Sequence, residues 1–239
     1  MSDSRTSLAP RETVALEDGA AVTCVWAVPP GFRPRLTPTV VLGHGAGAGM
    51  DSPFMAFFHQ GIAAHGMLAV KFNFPYREAG RRAPDRQPVL ERTWRAVLAA
   101  VRGSARYPPG PVFIGGKSMG GRIASHLAAA GEDVTGVVLL GYPLHPPGRS
   151  DRLRGEHLRS IRAPMLFVQG TRDPLCELDR LRAVIGETAG PVDLHVVDGG
   201  DHSLEPPARS GRSREDTWGE ALEVVARWVL AHAPSGRTR

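Results

Sequence analysis

Short, continuous apolar runs recur along the chain at residues 39–42, 68–74, 111–114, 134–140, 164–168 and 192–197. They are too uniformly apolar for strands with one wet face, and they suit a parallel sheet covered on both sides. Between them, residues 53–65, 88–102, 121–130, 176–188 and 214–232 place apolar side chains at three- and four-residue spacing, several of these stretches opening on Ser, Asp or Pro. Strand and helix in alternation predict an α/β sandwich with a mostly parallel central sheet and helices on both faces. Upstream, apolar stretches at 12–16 and 21–28 flank Glu17-Asp18-Gly19 and predict an antiparallel N-terminal hairpin, which argues against an eight-fold barrel. A chain of 239 residues fits one core. The expected organisation is a single domain at 11–233, a flexible N-terminus at 1–10 and a disordered tail at 234–239, with no internal repeats. The Pro- and Arg-rich pieces 78–88, 145–154 and 205–213 read as loops.

Charge and cysteine usage narrow the function classes. The formal net charge is +5, yet only Lys71 and Lys117 are lysines, and the arginines are scattered among acids. A phosphate backbone needs a continuous basic track, so no nucleic-acid partner is expected. No apolar run approaches the roughly 18–20 residues of a membrane span, and the opening Met-Ser-Asp-Ser-Arg has no hydrophobic core of a leader. No membrane association and a cytoplasmic location are the expectations. Cys24 and Cys176 lie far apart and form no CxxC, so both read as free buried thiols with no metal site and no disulfide. Nothing in the pattern bears on oligomeric state.

The chemistry is concentrated in one motif. Directly after the run 112–114 comes Gly115-Gly116-Lys117-Ser118-Met119-Gly120-Gly121, followed by a helical pattern. Gly116–Gly120 is G-x-S-x-G. A nucleophile elbow requires this context of strand, sharp turn and helix, because the serine is strained and residues two positions away must lack Cβ atoms. The same stretch contains Gly-Lys-Ser, but a phosphate-binding loop of the G-x-x-x-x-G-K-S kind would need glycine where Pro111 stands. The partners of a nucleophile follow in the order acid, then histidine. Asp173 sits in Gly170-Thr171-Arg172-Asp173-Pro174 after the run 164–168, and His202 in Gly199-Gly200-Asp201-His202-Ser203 after the run 192–197. In a parallel sheet all three loops open at one edge, so Ser118, Asp173 and His202 are predicted to meet in one crevice. A fourth loop, Gly43-His44-Gly45-Ala46-Gly47-Ala48-Gly49, lets backbone N–H groups approach a ligand. The Ala46 and Met119 N–H groups are the expected oxyanion donors.

With these motifs in place, the chain resembles the α/β-hydrolase superfamily over residues 10–233. Within it the likeness is to the dienelactone hydrolase-like branch, in particular bacterial relatives of the hydrolase-like domain of testis-expressed protein 30 and of NSL chromatin complex subunit 3. It is carried by residues 115–120, Gly141-Tyr142-Pro143-Leu144-His145-Pro146, residues 166–173 and Asp201-His202-Ser203. The resemblance implies an α/β-hydrolase fold with a Ser-His-Asp triad and leaves the substrate open.

The expected function is a serine hydrolase acting on an ester or other acyl bond of a small soluble substrate, with no cofactor and no metal. The alternatives are a non-catalytic scaffold or interaction protein of the same fold, and an acyltransferase using the same triad. Gly45, Tyr76, Arg77 and His145 are the candidate substrate-binding residues: Arg77 offers a fork for a substrate carboxylate, and Tyr76 and His145 are expected to line the remaining wall. Residues 141–162, between the fourth and fifth parallel strands, are too few for a lid domain, so an open crevice is predicted.

Overall fold

In the computed structural model, which describes residues 10–234, eight strands form one sheet in the order β1-β2-β4-β3-β5-β6-β7-β8. They are β1 (Arg11–Ala15), β2 (Ala21–Ala27), β3 (Thr39–Gly43), β4 (Leu68–Phe72), β5 (Val112–Lys117), β6 (Gly136–Leu140), β7 (Met165–Gly170) and β8 (Val192–Val197). The β1–β2 hairpin is antiparallel and β2 runs antiparallel to β4, while β3 to β8 are mutually parallel. The mostly parallel sheet with an N-terminal hairpin is therefore as expected.

Alternation along each inner strand explains why those runs are apolar throughout. Val41, Ile114, Val137, Leu139 and Phe167 face one layer, and Val40, Leu42, Phe113, Val138, Leu140 and Val168 face the other. The first layer is closed by α3 (Gln87–Arg102), α4 (Met119–Ala129) and α5 (Leu178–Ile185). The second is closed by α1 (Pro53–Ala64) and α6 (Arg214–His232). With both faces covered, a polar residue on an inner strand has no water to reach.

Several boundaries move. β5 runs on through Gly115–Lys117, because both glycines lie in register with β6 and the strand continues to the elbow. α5 is shorter than the expected 176–188. A one-turn helix α2 (Pro75–Glu78) and a 3-10 turn at Ala208–Ser210 were not anticipated, being too short to show periodicity. β8 is a partly exposed edge strand rather than a doubly covered one. Only one 3-10 turn, Glu156–Ser160, lies between β6 and β7, and among the described residues no lid domain covers the sheet edge. Of the two termini expected to be unstructured, residues 1–9 and 235–239 lie outside the described residues. No helix among the described residues is long and apolar enough to cross a membrane.

The strand order reverses at β3. The chain leaves β3 to form β4 on one side and returns to β5 on the other, so the loops after β3 and β5 splay apart and leave a crevice at their carboxyl ends. Gly43 and Gly116, in register across β3 and β5, floor that crevice.

Candidate active site

Ser118 follows the last residue of β5 and caps α4 with φ 50° and ψ −114°, a backbone state that side-chain-bearing residues adopt only under constraint. The constraint is visible in its neighbours. A Cβ at Gly116 or at Gly120 would lie 2.1 Å from the Gly43 carbonyl oxygen, so only glycine lets strand and helix close on β3. The Ser118 N–H donates to Leu140 O at 2.9 Å, which fixes the turn from the other side.

The β7 and β8 loops bring the two partners. His202 Nε2 lies 2.8 Å from Ser118 Oγ, and His202 Nδ1 lies 2.7 Å from Asp173 Oδ2. The Asp173 side chain is fully buried and that of His202 is 24% exposed, so the acid is sealed and the imidazole borders the crevice. Asp173 is held further by the Leu175 N–H, which donates to Oδ1 at 2.8 Å, and by Gln169 Nε2, which donates to Oδ2 at 2.5 Å. Gln169 is itself fully buried and accepts from the Tyr142 N–H at 2.8 Å. Three donors on one buried carboxylate fix its orientation toward His202. Asp201 closes the turn that carries His202, its Oδ1 accepting from the N–H groups of Ser203 and Glu205 at 2.7 and 3.0 Å.

On the opposite wall the loop after β3 is pinned from below. His44 is buried completely, and the Phe74 N–H donates to its Nε2 at 3.2 Å. An accepting Nε2 leaves the proton on Nδ1, which therefore donates to Gly45 O at 2.9 Å. Burial pushes this imidazole down to about 4, in keeping with the neutral form. The Tyr76 hydroxyl also reaches Gly45 O, at 3.4 Å. Because a trans peptide directs its C=O and N–H oppositely, fixing the Gly45 carbonyl inward turns the Ala46 N–H outward. Gly45 itself lies against the nucleophile: a Cβ there would be 3.6 Å from Ser118 Cβ. The Met119 N–H, first in α4, has no intrahelical acceptor.

The structure joins Ser118, His202 and Asp173 by hydrogen bonds and sets Gly45 against the nucleophile; Ala46 follows Gly45 and Met119 opens α4, and the remaining candidates sort differently. Tyr76 has no exposed surface and His145 is 3% exposed, so neither lines an open wall. Tyr76 packs edge-on against His44, 5.7 Å between ring centroids, and supports the loop from beneath. The His145 N–H donates to Leu175 O, joining the loop after β6 to the Asp173 loop. Arg77 pairs with neither acid near it. Glu78 accepts from the Thr23 N–H, and Asp85 from Arg81 and the Tyr76 N–H. The Arg77 guanidinium lies alongside Gly49, with Nε buried and without a hydrogen-bond partner among the described residues.

Sequence reasoning assigned no role to Gln169, His44 or Asn73, whose Oδ1 accepts from the Met50 N–H at 2.9 Å and braces the same loop. The usable signal was a polar residue interrupting or closing an apolar strand, where burial demands a partner. A cavity of about 200 Å³ adjoins the triad, lined by Gly45, Phe54, Lys117, Ser203, Glu205 and Trp218 among others. A second, of about 280 Å³, lies between Leu16 and the α3 residues Val89, Thr93 and Ala96 and shares no residue with the triad. Among the described residues no group of three or more His, Cys, Asp or Glu is placed to hold a metal ion.

A strained serine at a strand-to-helix elbow, on a sheet of this order, defines the class of α/β-hydrolase folds. The family model described as alpha/beta hydrolase domain matches residues 37–230, and the chain belongs to that family. Solved structures agree on the fold. An alpha-beta serine hydrolase homologue from Coxiella burnetii superposes with a TM-score of 0.71 at 18% identity, covering 95% of this chain and 99% of the other. Dienelactone hydrolase from Anabaena variabilis gives 0.73 at 17%, covering 94% and 98%. An α/β serine hydrolase from Xanthomonas campestris, described as without a lid, gives 0.71 at 17%, covering 98% and 99%.

Proposed function

We propose that this protein is a serine hydrolase that cleaves an ester or other acyl bond of a small soluble substrate. The observation that carries the reading is the unbroken chain Ser118 Oγ, His202 Nε2, His202 Nδ1, Asp173 Oδ2, with links of 2.8 and 2.7 Å, hung on a strained elbow. Ser118 Oγ attacks the acyl carbon while His202 Nε2 takes its proton, and Asp173 stabilises the imidazolium that forms. The oxyanion accepts from the Met119 and Ala46 N–H groups. His202 returns the proton to the leaving group as the acyl-enzyme forms. Water, deprotonated by the same His202, then releases the acid and restores Ser118.

The dienelactone hydrolase-like placement, with its likeness to testis-expressed protein 30 and NSL chromatin complex subunit 3, belongs to this proposal and rests on the motifs around Ser118, Asp173 and His202. So does a cytoplasmic setting, in keeping with two free, buried cysteines. For substrate contacts, the reading keeps Gly45 beside the nucleophile and Arg77 near the loop, a cation that donates from Nη1 to Arg81 O at 3.2 Å and has no carboxylate partner among the described residues. Comparing a neutral ester with its carboxylate-bearing analogue in Arg77→Ala tests the latter, and an equal response of both substrates makes Arg77 structural. The reading as a whole is tested on short p-nitrophenyl esters. Wild type turns them over and Ser118→Ala does not, at unchanged melting temperature; substantial turnover by the alanine variant sinks it.

A further inference from the structure

Lys117 occupies the variable position just before the nucleophile, and its side chain turns inward, 8% exposed. A buried ammonium costs several kcal/mol unless it is well partnered, and here the partners are specific. Nζ donates to the main-chain carbonyl of His202 and sits 5.4 Å from the centroid of the Phe54 ring. Asp173, Asp201 and Glu205 lie close enough to favour its charged form, while burial pulls the amine down to about 8. Arg214, at the start of α6, lines the same cavity and is paired with Glu215. The turn after β6 completes the enclosure: a Cβ at Gly141 would lie 2.6 Å from His202 O and 3.1 Å from Lys117 Nζ.

The placement matters because β5 and β8 are not neighbours. β6 and β7 stand between them, so no ladder hydrogen bond sets the loop of His202 relative to Ser118. Besides the catalytic hydrogen bond itself, the Lys117 contact is the direct hydrogen bond, among the described residues, between the elbow and His202. Charge points the same way. Asp173, Asp201 and Glu205 put three carboxylates around these two loops, and a base must be unprotonated to receive the Ser118 proton. The ammonium is the counterweight.

We propose that Lys117 is a positioning residue for His202, tying the β8 loop to the nucleophile strand and offsetting the surrounding carboxylates so that the imidazole is available as a base near neutral pH. The proposal rests on the serine hydrolase reading above. It is tested by the pH dependence of kcat/KM for p-nitrophenyl acetate in wild type, Lys117→Met and Lys117→Arg, with melting curves to establish folding. Lys117→Met is expected to move the acid limb up by about one pH unit and to lower kcat/KM at pH 7 by about 10–100-fold. Lys117→Arg, which keeps the cation, retains the wild-type limb even where kcat falls. Lys117→Gln, which removes the charge but keeps a donor, shows the Met shift with a smaller loss, and decides the matter if the Met variant does not fold. A wild-type acid limb in the neutral variants, whatever their loss of rate, makes Lys117 merely structural and overturns the proposal. Retained activity in Ser118→Ala overturns the underlying reading instead, and with it this one.

Discussion

Replacing His44 by leucine keeps the volume of a fully buried side chain and deletes two hydrogen bonds, the Nδ1–H donated to Gly45 O at 2.9 Å and the acceptance from the Phe74 N–H at 3.2 Å. The first orients the Gly45–Ala46 peptide, and so the proposed oxyanion donor. Losing one preorganised donor costs about 10²–10³ in kcat, or roughly 3–4 kcal/mol of barrier. The second loss leaves a buried N–H unpaired, at about 1–3 kcal/mol of stability. In a chain of this size that lowers the melting temperature by about 2–12 °C. Steady-state kinetics on p-nitrophenyl acetate with melting followed by circular dichroism separate the two effects. Tyr76→Phe supplies the graded control: its hydroxyl reaches the same carbonyl at 3.4 Å, a weak bond, so kcat should fall by less than about five-fold. A His44→Leu enzyme that melts lower yet keeps kcat within about three-fold of wild type would falsify the claim that this imidazole aims the Ala46 N–H.

Acid should unfold the protein early. Burial pushes His44 and His59 down to about 4 from 6.5, so both stay neutral in the fold and charge in the unfolded chain. Their contribution is present above pH 6.5 and lost as pH falls toward 4, on the order of 2 kcal/mol each by pH 5; urea melts at pH 7.5 and 5.0 with equal free energies contradict this. Gln169→Leu removes a donor from Asp173 Oδ2 and the acceptor of the Tyr142 N–H, and kcat is expected to drop about ten-fold through a less well-oriented acid. Unchanged kcat with lowered stability assigns Gln169 to packing alone. Activity should withstand EDTA and small thiol reagents, since burial raises both Cys24 and Cys176 to about 12 and leaves them inert; inactivation by either reagent contradicts it.

Much of this architecture is legible because its signals are local. The bounds of α6 and β8 match the pattern, α6 because Ser213 and Asp216 form a capping box that marks its start. The elbow and its two partners are legible because three motifs must fall at strand ends in one order. What is not legible depends on orientation or on distant pairing. In the single turn of α2, no periodicity tells which of four residues faces inward, and it is Tyr76 that does. Nothing local tells which way the lysine between Gly116 and Ser118 points, and only the fold shows it buried against the His202 loop. In β8, Asp193 and His195 alternate with apolar residues, a one-sided signal overlooked in an apolar run. Both are satisfied from α6, Asp193 by Trp228 Nε1 at 2.8 Å and His195 by Glu220 at 2.7 Å.

The central claim is that Ser118 is an activated nucleophile, and a fluorophosphonate probe reads that property without knowledge of the substrate. Intact mass and peptide mapping of folded wild-type protein should show one adduct, on Ser118, and His202→Ala should abolish or greatly slow its formation. Folded protein that takes up no probe, carries the adduct on another residue, or labels equally fast without His202 would contradict the account.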